Sequence, residues 1–304
     1  MYTRPPHTRN PDGDDRRIGV EIEYAGVTIE RSAELVQSLY GGSISQSDPF
    51  GATVTDTEFG EFRIEVDATP LQNRRFEQFL ASVGVDLDAL DIKSDVEQLL
   101  SSVASVFVPT EIAAPPISWR NVHALEQLRE RLCDEQAEDT RKAFWYAFGL
   151  QLNVEVASVE ADYLRRHLQA FLSLQDALRA QCQVDVARRI APFIRAFPQS
   201  YKDLLMRPHY QPDLETLIDD YLEHNPTRNR SLDMMPLFAY LDVHRVKAGC
   251  KQAELVKPRP TFHYRLPDSV VSDSEWRIAH EWDRWLQVER LADDRDRLAA
   301  ALQG

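Results

Sequence analysis

The feature that most constrains the fold is a set of five short segments in which apolar and polar residues alternate. They lie at about 18–27, 61–67, 106–112, 148–156 and 260–267. A period of two residues is typical of a β-strand that buries one face and exposes the other. Short strands that each carry an acidic or polar face, interleaved with helices, predict the α+β class rather than a doubly wound α/β fold.

The helical segments define the predicted domain organisation. Apolar residues at helical spacing predict helices at 71–106, 121–135, 160–181, 184–196, 213–223 and 234–247. We interpret about 158–250 as a helical insertion in a single domain that spans 18–304. Capping-box spacing at Ser272–Glu275 predicts a C-terminal helix over about 273–302. Residues 1–17 are polar and rich in proline, which predicts a flexible lead-in.

The charge balance and the cysteines limit the class of protein. The 304 residues include 49 Asp and Glu against 35 Lys and Arg, a formal net charge of -14. Non-specific nucleic-acid binding relies on neutralising phosphates, so nucleic acid is not an expected partner. The three cysteines form no C-x-x-C pair, and they favour a reducing cytoplasm over a disulfide framework or a zinc site. No segment approaches the ~18 apolar residues of a membrane helix, so no membrane partner is expected.

Common nucleotide-binding and nucleophile motifs are absent from the sequence. Neither G-x-G-x-x-G nor G-x-x-x-x-G-K-[ST] occurs, and there is no G-x-S-x-G. A glycine-rich phosphate loop and a nucleophile elbow are therefore not expected.

The first predicted strand places two carboxylates on one face. Glu21 and Glu23 alternate with Val20, Ile22 and Tyr24, so they lie roughly 7 Å apart at a rise of about 3.3 Å per residue. Two neighbouring carboxylates repel each other unless a cation lies close to them. A divalent ion, an Arg or Lys partner, and plain solvent are the three alternatives.

The other strands carry polar residues that could complete a site with this pair. Those residues are Glu65 and Asp67, Glu111, Gln151 with Asn153 and Glu155, and His263 with Arg265. If the faces converge in one sheet, they form a carboxylate-rich site with an imidazole and a guanidinium. Hard oxygen ligands favour Mg²⁺ or Mn²⁺. Metal ions held in this way can bridge nucleotide phosphates, and Arg265 can stabilise a phosphoryl group in transfer.

The strand segments resemble the amidoligases of the glutamine synthetase and glutamate–cysteine ligase superfamily. The matching motifs, in the family's order, are G-V-E-I-E at 19–23, F-R-I-E-V-D at 62–67, E-I-A-A-P-P at 111–116, G-L-Q-L-N-V-E at 149–155 and F-H-Y-R-L-P at 262–267. The resemblance implies a curved antiparallel sheet of the glutamine synthetase catalytic type, with flanking helices, whose concave face binds ATP and Mg²⁺. It also implies that ATP phosphorylates a carboxylate and that an amine then attacks the acyl phosphate to form an amide.

The resemblance also implies residue roles. Glu21, Glu23 and Glu111 match metal ligands of the family, and Asp67 matches an aspartate near the amine substrate. Gln151 and Asn153 stand where relatives commonly have histidine, and His263 with Arg265 stands at an E-x-R motif. The predicted metal ligands are Glu21, Glu23, Glu111, Glu155 and His263. The predicted catalytic residues are Asp67 and Arg265, and the predicted nucleotide-binding residues are Arg259, Asn153 and Gln151.

Two departures from the family pattern bear on activity. Gln151 replaces a histidine and His263 replaces a glutamate, and a neutral amide is a weaker metal ligand than either. His263 could restore a ligand, and Glu155 could supply the lost charge. One metal fewer, an altered substrate and an inactive descendant remain as alternatives.

These observations predict an ATP-dependent carboxylate–amine ligase. Its partners would be a small molecule or peptide with a free carboxylate and an amine co-substrate, and the sequence leaves the substrates and the oligomeric state open. The alternative is a catalytically degenerate ligase fold that acts as a binding or interaction module. A carboxylate-pair hydrolase such as a glycosidase ranks last, because no carboxylate pair can be placed at a defined separation.

Overall fold

A computed structural model describes residues 2–48, 50–66, 110–135, 148–182 and 194–302. The strands are β1 (Arg17–Tyr24), β2 (Ser43–Asp48), β3 (Gly51–Thr57), β4 (Gly60–Val66), β5 (Thr110–Ala113), β6 (Ile117–Ser118), β7 (Leu150–Glu155), β8 (Leu232–Asp233) and β9 (Thr261–Tyr264). The α-helices are α1 (Ile29–Tyr40), α2 (Leu125–Asp134), α3 (Ala161–Gln181), α4 (Gln199–Leu205), α5 (Leu214–His224), α6 (Met235–Leu241), α7 (Val243–Gly249), α8 (Ile278–Asp293) and α9 (Arg295–Ala301).

These strands form one open antiparallel sheet. Their order is β2-β3-β4-β5-β1-β7-β9-β8, and β6 pairs with the beginning of β1. Every pairing among the named strands is antiparallel. A single antiparallel sheet combined with helices confirms the predicted α+β class.

The apolar face of the sheet carries the core. Trp285 of α8 packs on Phe262 and Tyr264 of β9, with ring centroids 5.4 and 5.5 Å apart. At the other end of the sheet, Tyr40 of α1 stacks on Phe62 of β4 at 5.1 Å. Because successive residues of a strand point to opposite faces, these contacts leave the polar residues of the same strands on the opposite face.

The segment predicted as one C-terminal helix over 273–302 forms two helices, and the first of them begins five residues later than predicted, at Ile278. The capping-box residues form a turn instead: the Asp273 carboxylate accepts a hydrogen bond from the Glu275 amide at 2.9 Å, and helix α8 begins at Ile278. The break between α8 and α9 lies at Asp294, whose side chain caps α9 by accepting from the Arg297 amide. Aspartate competes for backbone amides in this way and favours helix caps over helix interiors.

The helices predicted between about 158 and 250 are observed in part. Helices α3 and α5 match the predicted 160–181 and 213–223 segments to within a residue at each end. The predicted 234–247 helix is broken at Asp242, whose side chain accepts hydrogen bonds from two amides at the beginning of α7. The predicted helix at 71–106 and most of that at 184–196 lie outside the described residues.

The strands that alternation missed are β2, β3, β6 and β8. The segment of β2 is polar, and its side chains that the structure describes are exposed, so no apolar period marks it. β8 is only two residues long and shows no period at all. Within the described ranges, no helix is both long and apolar enough to cross a membrane.

The N-terminal segment, predicted as a flexible lead-in, lies against the C-terminal half of the protein. The Trp282 indole donates a hydrogen bond to the Thr3 carbonyl at 2.8 Å. Arg16 forms a buried bidentate pair with Glu289, at 2.7 and 3.1 Å. These partners are more than 250 positions away in the sequence, so no local pattern could indicate them.

Candidate functional site

The strand register places three glutamates in a row across the polar face. Glu65 of β4 lies opposite Glu111 of β5, and Glu111 lies opposite Glu23 of β1. Side chains directly opposite in an antiparallel pair have Cβ atoms about 4.5–5.5 Å apart. The row therefore concentrates carboxylate oxygens on three adjacent strands, which is the donor type that Mg²⁺ and Mn²⁺ prefer.

A second group of polar residues lies beside this row on β1, β7 and β9. Glu21 lies opposite Gln151, and Asn153 lies opposite both Gly19 and His263. The structure therefore brings Glu21, Gln151, Asn153 and His263 together, as the predicted convergence of the strands requires.

Four side chains of this group are joined in a hydrogen-bonded chain. Asn153 Nδ2 donates to Glu21 Oε1 at 2.7 Å. Gln151 Nε2 donates to Asn153 Oδ1 at 2.7 Å and lies 3.3 Å from His263 Nδ1. We call these four residues the polar chain.

Gly19 makes the first link of the polar chain sterically feasible. An ideal Cβ on Gly19 would lie 3.3 Å from Asn153 Cβ and 3.4 Å from its Nδ2. The glycine thus lets the Asn153 side chain lie over β1 and reach Glu21, which is two residues further along the same strand. A glycine inside a strand often marks such a close approach.

The Glu23 carboxylate is oriented by the backbone that leads into β7. The Gly149 amide donates to Glu23 Oε2 at 2.6 Å. A charge-assisted bond of this kind fixes one carboxylate oxygen.

His263 is buried. Its relative exposure is 5%. Burial, with further contributions from the charges of Arg265, Arg259 and Arg228, lowers the pKa of His263 well below its usual value. Its Nε2 atom is buried and has no hydrogen-bond partner in the part of the chain that the structure describes.

Arg265 is positioned by a buried carboxylate. Its Nη2 lies 3.1 Å from Asp233 Oδ2, and Asp233 has a relative exposure of 0%. Burial raises the pKa of Asp233, and the nearby Arg265 charge opposes that shift. Asp233 Oδ1 also accepts from the Met235 amide at 2.9 Å. The ion pair therefore restricts the orientation of the Arg265 guanidinium.

Two further arginines lie near the polar chain. Arg259 is about one-third exposed, and its Nη1 is 3.9 Å from Glu21 Oε1. Arg228 is half-buried, and its carbonyl accepts from Arg265 Nη1 at 3.4 Å. Burial, and then the Arg265 charge, lowers the pKa of Arg228. With Arg265, these residues form a group of cations that we call the arginine cluster.

One of the predicted site residues, Glu155, is bound outside this arrangement. Glu155 Oε1 accepts from the Asn10 side-chain amide at 3.1 Å, and its Oε2 accepts from the Arg17 backbone amide at 2.7 Å. Both oxygens of Glu155 are thus bound to the N-terminal part of the chain. Asp67 lies outside the described residues, so its role stays a prediction.

The donors fit a divalent metal by type, although their side chains are not closed around one point. Carboxylate oxygens of Glu23, Glu111 and Glu65 are suitable ligands. Across the described ranges, no three His, Cys, Asp or Glu side chains are already arranged to hold a metal ion. Mg²⁺ is commonly held by one or two carboxylates together with substrate phosphates, so a pair from the glutamate row would suffice to bind a metal–nucleotide complex.

Two residues of the site are not among the predicted site residues, although the sequence allows them to bind phosphate or a substrate carboxylate. Asp233 and Arg228 lie in the polar stretch before β9, where the default interpretation is a solvated surface. A lone Asp in a two-residue strand carries no periodic signal, and only the antiparallel register places it opposite His263. The neighbouring Arg230 has a structural role, because its guanidinium bonds to the Asn225 side chain and to the Ala196 carbonyl.

Comparison with known proteins identifies the family. The model of a family described as "Putative amidoligase enzyme" matches residues 14–287. That range includes the glutamate row, the polar chain and the arginine cluster. The chain therefore belongs to this amidoligase family, which favours an amide-forming ligase over the carboxylate-pair hydrolase. Neither the curated proteins nor the solved structures contain a significant match.

Proposed function

We propose that this protein is an ATP-dependent ligase that joins a carboxylate to an amine through an acyl phosphate. The observation that carries the proposal is that the glutamate row and the polar chain lie on one face of the sheet and that Arg259 of the arginine cluster comes within 3.9 Å of Glu21 in that chain. Carboxylates can hold metal ions that bind nucleotide phosphates, and arginines can bind the phosphoryl group or a substrate carboxylate.

The first step of the proposed reaction is phosphoryl transfer. An oxygen of the substrate carboxylate bonds to the terminal phosphorus of ATP, the bond from that phosphorus to the bridging oxygen breaks, and ADP leaves. Arg265, oriented by Asp233, and the more exposed Arg259 would stabilise the negative charge of the transferring group. A divalent ion held by Glu21, Glu23 and Glu111 would neutralise charge on the ATP phosphates.

The second step forms the amide. The amine nitrogen bonds to the acyl carbon, the bond from that carbon to the phosphate oxygen breaks, and inorganic phosphate leaves. The amine loses its proton to a base, for which Asp67 is the sequence-based candidate. A site that excludes water would protect the acyl phosphate from hydrolysis.

The test is a ligase assay with the full chain, ATP, Mg²⁺ and a mixture of amino acids. ADP release and the amide product would be followed together, the latter by mass spectrometry. We expect ADP and amide to form in equal amounts. We also expect Glu111→Gln to lower the rate by at least about a hundredfold, as for the loss of a transition-state electrostatic contact.

A matched control separates site chemistry from general damage. Glu34→Gln changes a carboxylate on α1 whose side chain is 56% exposed, and its rate should equal that of the wild type. No ADP from the wild type with any carboxylate and amine, or full activity in Glu111→Gln, would reject the proposal.

The second candidate is a ligase fold that binds partners without catalysis. The observation that favours it is that Gln151, an amide, stands in the polar chain and that no three-ligand metal arrangement exists in the described residues. Calorimetry with Mg²⁺ and a non-hydrolysable ATP analogue separates the two candidates. A ligase must bind this nucleotide complex, whereas a binding module without catalysis has no need to.

A further inference from the structure

The polar chain has a fixed hydrogen-bond direction. It crosses β1, β7 and β9 in the order Glu21, Asn153, Gln151, His263, with distances of 2.7, 2.7 and 3.3 Å. Amide orientations and histidine tautomers are assigned from such networks rather than observed directly. Here one end of the network is a carboxylate, and that end decides the assignment of the rest.

The direction follows link by link from the carboxylate. A carboxylate oxygen accepts hydrogen bonds, so Asn153 must turn its NH₂ group toward Glu21 and its oxygen toward Gln151. Gln151 must then present its own NH₂ group to Asn153. The same NH₂ group meets His263 Nδ1, which therefore has to accept. A neutral imidazole carries one proton, so that proton is on Nε2.

The protonated Nε2 atom lacks an acceptor. It is buried and makes no hydrogen bond to any described residue. A buried donor without an acceptor is rare in native proteins, and an ion or a water molecule bound beside it is one of its explanations. The charges that act on the ring are those of Arg265, Arg259 and Arg228, and the carboxylates of Asp233 and Glu21 offset only part of them. A negatively charged oxygen is the ligand that satisfies both the donor and the cations.

We infer that His263 donates a hydrogen bond from Nε2 to an oxyanion of the substrates, and that Gln151 is the positioning residue that sets this tautomer. A metal-ligand role would require a lone pair on Nε2, which this tautomer does not have. The nature of the oxyanion, a phosphoryl or a carboxylate oxygen, rests on the proposed function. Because Nε2 is buried, the oxyanion reaches it only when a neighbouring side chain moves.

The tautomer is measured directly by long-range ¹H–¹⁵N correlation spectroscopy of the full chain with labelled histidine. The His263 signals are assigned by their loss in His263→Gln. We expect a protonated Nε2 and an unprotonated Nδ1. A proton on Nδ1, or on both nitrogens, at neutral pH overturns the inference.

A variant of the positioning residue should reverse the tautomer. In Gln151→Glu a carboxylate faces Nδ1, so the proton should move to Nδ1 or the ring should become doubly protonated. Gln252→Glu changes an exposed glutamine and should leave the His263 signals unchanged. An unchanged tautomer in Gln151→Glu would remove Gln151 from the proposed role.

The ligand is tested with three probes: inorganic phosphate, acetate, and Mg²⁺ with a non-hydrolysable ATP analogue. The probe that carries the matching oxyanion should shift the Nε2 proton signal. His263→Met should weaken its binding roughly tenfold to a hundredfold, the range for a hydrogen bond to a charged group. His263→Gln, which keeps an NH donor, should restore most of the affinity.

Two outcomes would count against the oxyanion. The first is that none of the three probes shifts the Nε2 signal. The second is that His263→Met binds Mn²⁺ more weakly than the wild type in the absence of nucleotide, which would indicate a metal ligand. None of these measurements requires turnover. A protein with the expected tautomer and phosphate binding but no ADP release would therefore reject the proposed ligase reaction and leave this inference standing.

Discussion

Arg265 and Asp233 form an ion pair with 3.1 Å between the guanidinium and a carboxylate that has no exposed surface. The carboxylate is desolvated, so the pair depends on close geometry and on the second bond from the Met235 amide. The relation makes Asp233 the residue that orients the Arg265 guanidinium on the site face of the sheet.

Asp233→Asn should loosen Arg265 while keeping the shape of the side chain. We expect a loss of about 1–3 kcal/mol in the free energy of unfolding, because a partly buried guanidinium loses its charged partner. Ligase activity should fall as well. Urea unfolding and the coupled ADP assay measure the two effects. Asp12→Asn, at an exposed position, is the control, and equal behaviour of both variants would contradict the prediction.

Gly19→Ala should disturb the polar chain while leaving most of the fold intact. The added Cβ would lie 3.3 Å from Asn153 Cβ, so Asn153 has to shift away from Glu21. We expect a cost of about 1–3 kcal/mol in stability, as for other overpacked positions, together with a loss of activity.

Gly51→Ala provides the comparison for this substitution within the same sheet. Its nearest contact would be the Ile64 carbonyl at 3.5 Å, an ordinary van der Waals distance. It should therefore retain activity and show a smaller change in melting temperature than Gly19→Ala. Equal effects at the two positions would show that the Asn153 contact is unimportant.

Arg16→Met should be among the most destabilising single substitutions in the chain. It leaves Glu289 buried without its bidentate partner, which costs about 3–5 kcal/mol for pairs of this kind. The double variant Arg16→Met with Glu289→Gln should recover part of the loss, because no unpaired charge remains. Chemical denaturation of the three proteins measures this, and a double variant less stable than Arg16→Met would contradict the argument.

The stability should depend on pH through His167. Burial lowers the pKa of His167 to about 4, so the unfolded chain binds a proton near pH 6.5 that the folded protein does not bind. The folded protein therefore keeps its full stability above about pH 6.5, and the free energy of unfolding falls as the pH decreases from 6.5 toward 4. Between pH 7.5 and 5, this group alone should remove about 2 kcal/mol from the free energy of unfolding.

His167→Gln is the variant that tests the assignment to this group. Its free energy of unfolding should fall by about 2 kcal/mol less than that of the wild type over this pH range. His244→Gln, at an exposed position, should keep the full pH dependence. If the wild type and His167→Gln lose stability in parallel, His167 is not the group responsible.

The alternating patterns predicted which side chains share a face but not which strands are neighbours. Glu21 and Glu23 lie on the predicted polar face, because a period of two residues is a local property. That Glu23 lies opposite Glu111, and Asn153 opposite His263, depends on pairing between distant segments. The resemblance of the motifs to a known family supplied the expectation that these distant segments share one site, because the motifs follow the family's order along the chain.

The missed features are those with little or no local signal. Asp233 belongs to a two-residue strand, too short for any period, and its role depends on Arg265. The capping-box spacing at 272–275 was a local signal that tertiary packing overrode, since Trp276 is largely buried before α8 begins at Ile278.

The pairing of Arg16 with Glu289 has a consequence for biosynthesis. The two residues are 273 positions apart, so the ribosome has to translate the chain as far as Glu289 before the pair can close. Until then the Arg16 guanidinium, next to the beginning of the central strand β1, lacks this carboxylate partner. Final consolidation of this end of the sheet is therefore a late event that follows synthesis of α8.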